Sequence, residues 1–548
     1  MTPSRLLLVA LVSASLLAGT VFGYSSGDAN ARAQVAPRAT PTFVISGRGW
    51  GHGVGLAQWG AYGFAQHGAT YDEILAHYYT GTTLGPAPLG RVRVQLAAAA
   101  RRVTVGSRAP YMVHDGIGQA WHLPAGDQSF GPGLLLRTTD FPQPQQLPPP
   151  LTFAQGASPL RFAGRGYRGQ LVVSVANGAL RAINSVGLEA YLFGVVPSEM
   201  PRDWLPEALK AQAVAARSYA LAKRKTGSWF DLFADTRSQV YLGIPGEAAS
   251  TTAAVQETAG EVVLSGGRLA TTYFYSSSGG RTASADEVWK GPPVPYLQSV
   301  DDPYDTISPH HRWGPFTVAA SRLARVLGSP GRLTDVRTTT GPSGRVQTVT
   351  AVGANGGESS MSGSDFRRAL DLRSTWFRIG VLSLAPPDAP VTFGGRISLS
   401  GVARSLPAVK LEQRESGASW RPMRSIAPGP RGSVTVAARP RASTDYRLAS
   451  GTARSRIAHV AVAPLVRFRG LKDASTLRGR ARPAFPGASV AVQRLAGGRW
   501  VTVARAQIDA NGDFEAHLTL SPGDYRARLA PGHGFVAGVS ATLHVGPA

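Results

Sequence analysis

One glutamate has a setting suited to acid–base chemistry. Glu199 lies in the run VPSEMP, between Pro197 and Pro201 and among apolar residues. Such surroundings raise the pKa of a carboxyl group by desolvation, and a carboxyl that stays protonated near neutral pH can act as the general acid in glycosidic cleavage. Glu199 also stands just ahead of a long predicted helix, so a helix-entry or capping role is the alternative interpretation.

A glycine-rich run near the N-terminus is a second candidate. Residues 47–55 read GRGWGHGVG and contain neither GxGxxG nor GK[ST], so a nucleotide loop is unsupported. Alternating glycines let the backbone approach a ligand or another strand closely. Two interpretations stay open: a tight structural crossing, or a sugar site in which Arg48, His52 and Gln58 supply polar groups beside Trp50.

A third candidate is the run YFYSSSGG at 273–280, a strand that ends in a serine and glycine loop. Tyr275, Ser276 and Ser277 present hydroxyl groups there, suited to hydroxyl-rich or anionic ligands. Plain turn chemistry explains the same residues. The run contains no G-x-S-x-G elbow, so a nucleophilic serine is not indicated.

The elements that must position these residues begin with the strongest helix signal in the chain. It starts at Pro206, a favoured first-turn residue, and runs to about Arg224 with many alanines. Among them Lys210, Gln212 and Arg217 are polar. Gln212 falls on an apolar stripe, so we expect it to be at least partly buried and to need partners, in an active-site scaffold or a structural network.

Strand signals dominate elsewhere. From Arg91 to about Ser185 apolar and polar residues alternate as in an antiparallel sheet. After PDAP at 387–390 the helix signals stop, and two similar units follow about 80 residues apart. Their matching residues are Gln413-Arg414 and Gln493-Arg494, Trp420 and Trp500, and Asp445-Tyr446-Arg447 and Asp524-Tyr525-Arg526.

The predicted fold class is therefore α+β. A mixed α/β domain at 42–384 precedes two all-β sandwiches of immunoglobulin or fibronectin-III type. We call the sandwiches repeat 1 (388–464) and repeat 2 (465–548). From sequence they are interpreted as spacers or docking modules without chemistry.

The amino-acid composition limits the kinds of molecule that we expect the protein to bind. The net charge is +24 and only six of the 57 basic residues are lysine, a balance that favours anionic polymers. The absence of cysteine excludes disulfides, thiolate metal sites and a cysteine nucleophile. Residues 1–33 combine Arg5, an apolar run and an A-x-A-like site, as in a signal peptide or a retained membrane anchor. Either predicts an extracytoplasmic protein, which argues against nucleic acid as the partner.

Together, these motifs resemble the stage II sporulation protein D / amidase-enhancer family of peptidoglycan-acting bacterial proteins. The resemblance covers about 42–384. It rests on residues 47–84, 194–221, 273–289, 295–305 and 362–380.

The resemblance implies a lytic transglycosylase that cuts glycan strands between N-acetylmuramic acid and N-acetylglucosamine and leaves a 1,6-anhydro end. The family's catalytic carboxylate maps onto Glu199. Lys210, Gln212, Tyr275, Ser276 and Ser277 map onto positions expected around the substrate. The alternative within the family is a non-catalytic enhancer that binds glycan and stimulates a separate cell-wall amidase.

The chain departs from the family pattern in two respects. The glycine-rich segment comes first instead of following 362–380, so the motif order looks circularly permuted. We predict that 42–84 completes the same domain, packed beside about 376–384. Some sporulation members hold zinc through Cys and His; because this chain has no cysteine, we predict no structural zinc and no cofactor.

Overall fold

The computed structural model describes residues 39–87, 90–137, 142–473 and 475–546. The predicted signal peptide or anchor at 1–33 lies outside these residues. No helix within the described ranges is long and apolar enough to span a lipid bilayer. Strands predominate over helices, so the coarse prediction of an α+β protein with β-rich domains agrees with the structure.

The helices that the structure describes lie within 58–370. In chain order, those in the described ranges are α1 (Gln58–Gln66), α2 (Tyr71–Tyr78), α3 (Leu188–Phe193), α4 (Val196–Glu199), α5 (Pro206–Ala222), α6 (Ala249–Glu257), α7 (Ala285–Trp289), α8 (Ala320–Leu327) and α9 (Gly363–Leu370). Short 3-10 turns occur at Ile244–Gly246, Pro303–Ile307 and Pro430–Gly432.

The strands of the first half form one large sheet and several small ones. They are β1 (Thr42–Gly47), β2 (Leu56–Ala57), β3 (Thr83–Pro86), β4 (Arg91–Ala100), β5 (Val103–Ser107), β6 (Tyr111–His114), β7 (Ala120–Leu123), β8 (Gly126–Phe130), β9 (Leu135–Leu136), β10 (Gln145–Gln146), β11 (Leu151–Ala154), β12 (Leu160–Phe162), β13 (Arg165–Tyr167), β14 (Gln170–Ala176) and β15 (Ala179–Gly187). With β16 (Leu232–Phe233), the largest sheet has the order β16-β4-β15-β14-β11-β6-β7. Its pairs are antiparallel except β16 with β4, as the alternating pattern predicts.

The strands that follow carry the chain to residue 384. They are β17 (Glu261–Ser265), β18 (Arg268–Leu269), β19 (Phe274–Tyr275), β20 (Trp313–Ala319), β21 (Leu333–Thr340), β22 (Val346–Gly353), β23 (Glu358–Ser362) and β24 (Phe377–Leu384). β1 pairs antiparallel with β24 from Thr42 opposite Leu382 to Gly47 opposite Phe377. This pairing confirms the prediction that the N-terminal segment packs beside 376–384.

The C-terminal region is all β. Its strands are β25 (Val391–Thr392), β26 (Ile397–Arg404), β27 (Lys410–Glu415), β28 (Arg421–Ser425), β29 (Ser433–Ala438), β30 (Thr444–Ser450), β31 (Ala453–Arg454), β32 (Ala458–Val460), β33 (Val462–Ala463), β34 (Leu465–Asp473), β35 (Thr476–Arg482), β36 (Ser489–Ala496), β37 (Arg499–Gln507), β38 (Asp513–His517), β39 (Gly523–Leu529), β40 (Gly538–Val539) and β41 (Leu543–Val545). In repeat 2, sheets β34-β35-β38 and β37-β36-β39-β40 enclose one apolar core.

Repeat 1 has the same plan, but its first sheet extends into the preceding region. β24 pairs with β1 on one side and with β26 on the other, in the order β20-β1-β24-β26-β29. β24 thus takes the place in repeat 1 that β34 has in repeat 2. Val44, Leu382 and Leu384 accordingly belong to the core of repeat 1.

Helix α5 is central to the first region. It begins at Pro206 as predicted, and most of its side chains are buried. Ala213 and Ala216 contribute to the core beneath the large sheet, whereas Leu209 and Val214 contribute to the core formed with α1 and α2. The small alanine side chains allow both cores to pack closely against a single helix.

Candidate functional site

Glu199 is the last residue of α4, where the chain turns into an extended, buried Met200. The short helix has Pro197 in its first turn, and Pro201 follows two residues after its end. Burial raises the pKa of Glu199 to about 7, opposed by hydrogen bonds from the Val240 backbone N–H and from Gln58. The shift predicted from the apolar surroundings is confirmed.

Two glutamine side chains meet beside Glu199, although they lie 154 positions apart in the chain. Gln58 Nε2, at the start of α1, donates to Gln212 Oε1 on α5 at 3.4 Å. Gln212 is fully buried, as predicted, and Gln58 nearly so. No acceptor among the described residues contacts Gln212 Nε2, and an unpaired buried donor is costly unless a ligand or water meets it.

A row of aromatic side chains starts at Tyr219, which is close enough to Glu199 for the charge of the carboxylate to act on it. Ring centroids are 5.8 Å apart for Tyr219 and Tyr273 and 4.4 Å apart for Tyr273 and Trp289. Trp289 is 44% exposed. Lys223 Nζ lies 4.9 Å from the Tyr273 ring centroid. We call Tyr219, Tyr273, Trp289 and Lys223 the aromatic row.

Helix α5 links the row to the amides. Gln212, Ala216, Tyr219 and Lys223 follow one another at helical spacings of four, three and four, so they share one stripe. Burial raises the pKa of Tyr219, and the charges of Tyr273 and Glu199 add to this effect. Tyr219 and Lys223 were not predicted as site residues, although the stripe that starts at Gln212 is visible in the sequence.

The serine loop holds a buried carboxylate. Ser277 Oγ donates to both oxygens of Asp305, at 2.9 and 3.0 Å. The backbone N–H groups of Ser278 and Gly279 donate to the same carboxylate at 2.9 and 2.8 Å, and His311 Nδ1 lies 3.0 Å from it. The contacts of the Ser277 hydroxyl are thus with Asp305 and not with Glu199.

The neighbours of Ser277 have structural contacts of their own. The backbone carbonyl of Ser276 accepts a hydrogen bond from the Trp59 N–H at 2.9 Å. Tyr275 is almost fully buried, and within the described ranges its hydroxyl has no hydrogen-bond partner. Burial raises the pKa of Tyr275 well above its usual value, so this phenol is neutral.

His52 is held as a neutral ring. Its Nδ1 accepts from the Val54 N–H at 3.1 Å, which leaves Nε2 to donate to the Phe274 carbonyl at 3.1 Å. Burial lowers its pKa to about 4, with smaller contributions from Arg367 and Arg345. The ring lies beside the aromatic row, 5.5 Å from the centroid of Trp289.

Arg48 and Lys210 lie apart from the two amides. The Arg48 guanidinium is 5.4 Å from the Trp376 ring centroid, and its Nη1 lies 3.5 Å from the Gly279 carbonyl. Lys210 Nζ forms ion pairs with Glu207 at 2.9 Å and Glu257 at 2.8 Å. Lys210 precedes Gln212 by two residues, or about 200° around the helix, and therefore points to another face.

The glycines of 47–55 serve a close crossing of chain segments. Gly55 has φ +77°, and a Cβ atom there would lie 2.1 Å from the Tyr273 carbonyl oxygen. Trp50 exchanges backbone hydrogen bonds with Ser277, and β2 pairs with β19. The crossing brings Gln58 to Glu199. Across the residues the structure describes, no group of three His, Asp or Glu side chains is arranged to hold a metal ion.

Comparison with known proteins locates the chain among its relatives. Residues 176–264, which include Glu199 and α5, match the family described as Stage II sporulation protein. Stage II sporulation protein D of Bacillus subtilis (strain 168) is 32% identical over 223 residues, 37% of this chain and 64% of that protein. The amidase enhancer of the same strain is 44% identical over 115 residues, 21% and 15% of the two chains.

An uncharacterized protein of Brachyspira hyodysenteriae is 41% identical over 140 residues, 25% of this chain and 38% of that protein. The chain thus spans less than two thirds of the length of each relative. The family match at 176–264 covers the segments that carry Glu199 and helix α5. Over this region the chain is similar to the stage II sporulation protein D / amidase-enhancer family.

Proposed function

We propose that this protein is an exported lytic transglycosylase that cuts peptidoglycan glycan strands between N-acetylmuramic acid and N-acetylglucosamine. The observation that carries the proposal is the Glu199 carboxyl, with a pKa raised by burial to about 7. Near neutral pH about half of such groups hold a proton. A proton donor and its conjugate base are then both accessible at one position.

In the proposed reaction Glu199 serves first as acid and then as base. Its carboxyl gives a proton to the glycosidic oxygen as the bond from C1 to that oxygen breaks. The resulting carboxylate takes the proton of the muramyl C6 hydroxyl as O6 bonds to C1. The product ends in a 1,6-anhydro ring, no water is consumed, and Glu199 is protonated again. The second carboxylate of a hydrolase is unnecessary.

The surroundings of Glu199 support a glycan substrate. Aromatic faces pack against the C–H faces of sugar rings, and the aromatic row offers such faces beside the carboxyl. Lys223 adds a positive charge at the row, suited to the carboxylate of an acidic sugar.

Export is part of the proposal and rests on the apolar run and cleavage-site pattern within residues 1–33. It places the protein in the cell envelope or outside the cell. The charge of +24 fits a location among anionic wall polymers.

The test uses the purified chain on denuded glycan strands and on intact sacculi, with soluble products identified by mass spectrometry. We expect wild type to release anhydromuramyl ends and Glu199→Gln to release none, because the amide cannot donate the proton. Glu358→Gln, which changes an exposed carboxylate on β23, is the matched control and should retain activity.

A non-catalytic amidase enhancer is the second candidate, favoured by the 44% identity with a protein of that name. It would bind glycan and stimulate a separate cell-wall amidase. Absence of anhydro ends with wild type, together with retained glycan binding and stimulation of an added amidase, would replace the transglycosylase with this function. Glu199→Gln should then leave stimulation intact.

A further inference from the structure

The two C-terminal repeats carry the same four polar or aromatic side chains at corresponding positions. In repeat 1 they are Trp420, Asp445, Arg447 and His459, and in repeat 2 they are Trp500, Asp524, Arg526 and His544. In each repeat the aspartate lies opposite the histidine on the neighbouring strand, and both aspartate–histidine pairs are 2.8 Å long. Packing of the hydrophobic core does not explain why the two repeats share these residues, because all eight side chains are at least partly exposed.

The arginines have matching geometry as well. Arg447 Cζ lies 3.8 Å from the Trp420 ring centroid, and its Nε donates to Glu412 Oε2 at 2.7 Å. Arg526 Cζ lies 4.3 Å from the Trp500 ring centroid, and its Nε donates to Gln493 Oε1 at 2.8 Å. Gln493 therefore takes the structural place of Glu412. By sequence alone Gln493 aligns with Gln413, but in the structure it corresponds to Glu412, one position earlier.

The repeats differ in how they neutralise this arginine. In repeat 1 the acceptor Glu412 is a carboxylate, and a second guanidinium, that of Arg414, lies 4.7 Å from the Trp420 centroid while paired with Asp445 at 3.0 Å. Glu412 also pairs with Arg454 at 3.3 Å, so each of the three guanidiniums has a carboxylate partner. None of them is left unpaired to bind a ligand.

Repeat 2 has neither a carboxylate at the place of Glu412 nor a guanidinium at the place of Arg414. Gln493 is neutral, and no carboxylate of the described residues forms an ion pair with Arg526. The residue two positions beyond Gln493 is Leu495, which is 38% exposed and lies directly across the strand pair from Trp500. It stands where repeat 1 has Arg414. Trp500 is thus bordered by the apolar side chain of Leu495 and by the guanidinium of Arg526, which has no ion-pair partner among the described residues.

These groups suit an acidic sugar. A guanidinium whose Nε is already bonded keeps its two terminal nitrogens as donors, in a planar fork that matches a carboxylate. A partly exposed indole beside a leucine provides an apolar surface for a sugar ring. The surrounding charge attracts a polyanion, because residues 388–548 contain 23 Lys and Arg against nine Asp and Glu.

We propose that Trp500, Arg526 and Leu495 form a binding site for a sugar polymer that carries carboxylate groups. Repeat 1 holds the same constellation with each guanidinium already paired to a carboxylate, a form that does not bind. Repeat 2 would then hold the protein on its polymer independently of the chemistry at Glu199.

The test exchanges the differing residues between the repeats. Binding is measured by calorimetry with denuded peptidoglycan strands as the probe, in full chains that all carry Glu199→Gln so that no strand is cut. Gln493→Glu with Leu495→Arg should weaken binding about tenfold, the effect of losing one charge-assisted contact. Glu412→Gln with Arg414→Leu should strengthen it. Each change introduces the residue already found in the sister repeat, so folding should be retained, as a melting curve would verify.

Trp500→Ala should weaken binding, whereas Trp420→Ala should leave it unchanged. Unaltered affinity in both exchange variants would overturn the site. So would equal binding to strands whose carboxylates have been amidated. If poly(glycerol phosphate), which has no sugar ring, shows the same losses, the site is a general anion site and the acidic-sugar assignment is wrong. Because the readout is binding in an inactive background, failure of the proposed cleavage does not affect the result.

Discussion

At Glu199 two effects oppose each other on one carboxyl group. Burial favours the protonated form, while the Val240 N–H and the Gln58 amide stabilise the carboxylate. The outcome, a pKa of about 7, suits a group that must donate and then accept a proton. Gln58 is thus a positioning residue for Glu199, supplied from a segment far away in the chain.

Gln58→Leu should raise the pKa of Glu199 further, because it removes a bond to the charged form. Since the proposed reaction needs the protonated acid, the loss of activity at high pH should shift upward by about 0.5–1 pH unit. The measurement is the pH–rate profile of anhydro-product release. Gln256→Leu, on the exposed side of α6, should leave the profile in place. An unshifted profile for Gln58→Leu would show that the Gln58 amide does not tune the acid.

The same carboxyl should reduce stability at neutral pH. Its folded-state pKa of about 7 lies above the ordinary value of 4.5, so the folded state holds its proton more tightly than the unfolded one. The cost is nearly absent below pH 4.5 and complete above pH 7. In urea unfolding, Glu199→Gln should therefore be more stable than wild type by about 1–3 kcal/mol at pH 8. The gain should shrink toward pH 5, and a gain independent of pH would contradict the assignment.

Among the elements, helix α5 and the glycine-rich crossing together assemble the site. The alanines of α5 let it lie between two cores, while one stripe presents Gln212 and Tyr219. The crossing carries Gln58 to that stripe. Without the close approach of residues 50–57 to 273–277, Gln58 would not reach Glu199 and Gln212.

Gly55→Ala should disrupt the crossing. Its φ of +77° disfavours a side chain, and the added Cβ would lie 2.1 Å from the Tyr273 carbonyl oxygen. We expect a loss of at least about 3 kcal/mol in the free energy of unfolding, from strain plus overpacking. Gly68→Ala is the control, because its φ is +85° with nothing within 4 Å; it should cost about 1 kcal/mol. Equal losses for both variants would mean that backbone conformation alone matters at Gly55.

At the scale of the whole molecule, β24 connects two regions that the sequence separates at about residue 386. Its two edges pair with β1 and β26. Leu382 and Leu384 face the core of repeat 1. Repeat 1 is therefore continuous with the region that contains Glu199, whereas repeat 2 has a core of its own.

Truncation should reveal this asymmetry. A chain that ends at 464 loses repeat 2 but keeps β24 paired on both edges. A chain that ends at 386 exposes one edge of β24 and the apolar side chains that face repeat 1. Thermal unfolding of the first region should occur at a clearly lower temperature in the shorter chain. Equal melting temperatures would show that repeat 1 does not stabilise the first region.

Much of the local structure follows from the sequence. Pro206 and the alanine-rich run that follows it predict α5, which begins at that proline. Flanking prolines and apolar neighbours were enough to predict the raised pKa of Glu199. Local signals suffice here because helix periodicity and desolvation act between residues close in the chain.

Only the tertiary structure decided how distant segments meet. It joined Gln58 to Gln212, bonded Ser277 to Asp305, and turned Lys210 toward Glu207 and Glu257. It also made β24 common to two regions. Strand pairing and side-chain partners between residues far apart depend on how the whole chain packs, which neither periodicity nor local propensity encodes. The family motifs indicated the acid, and the fold supplied the groups that surround it.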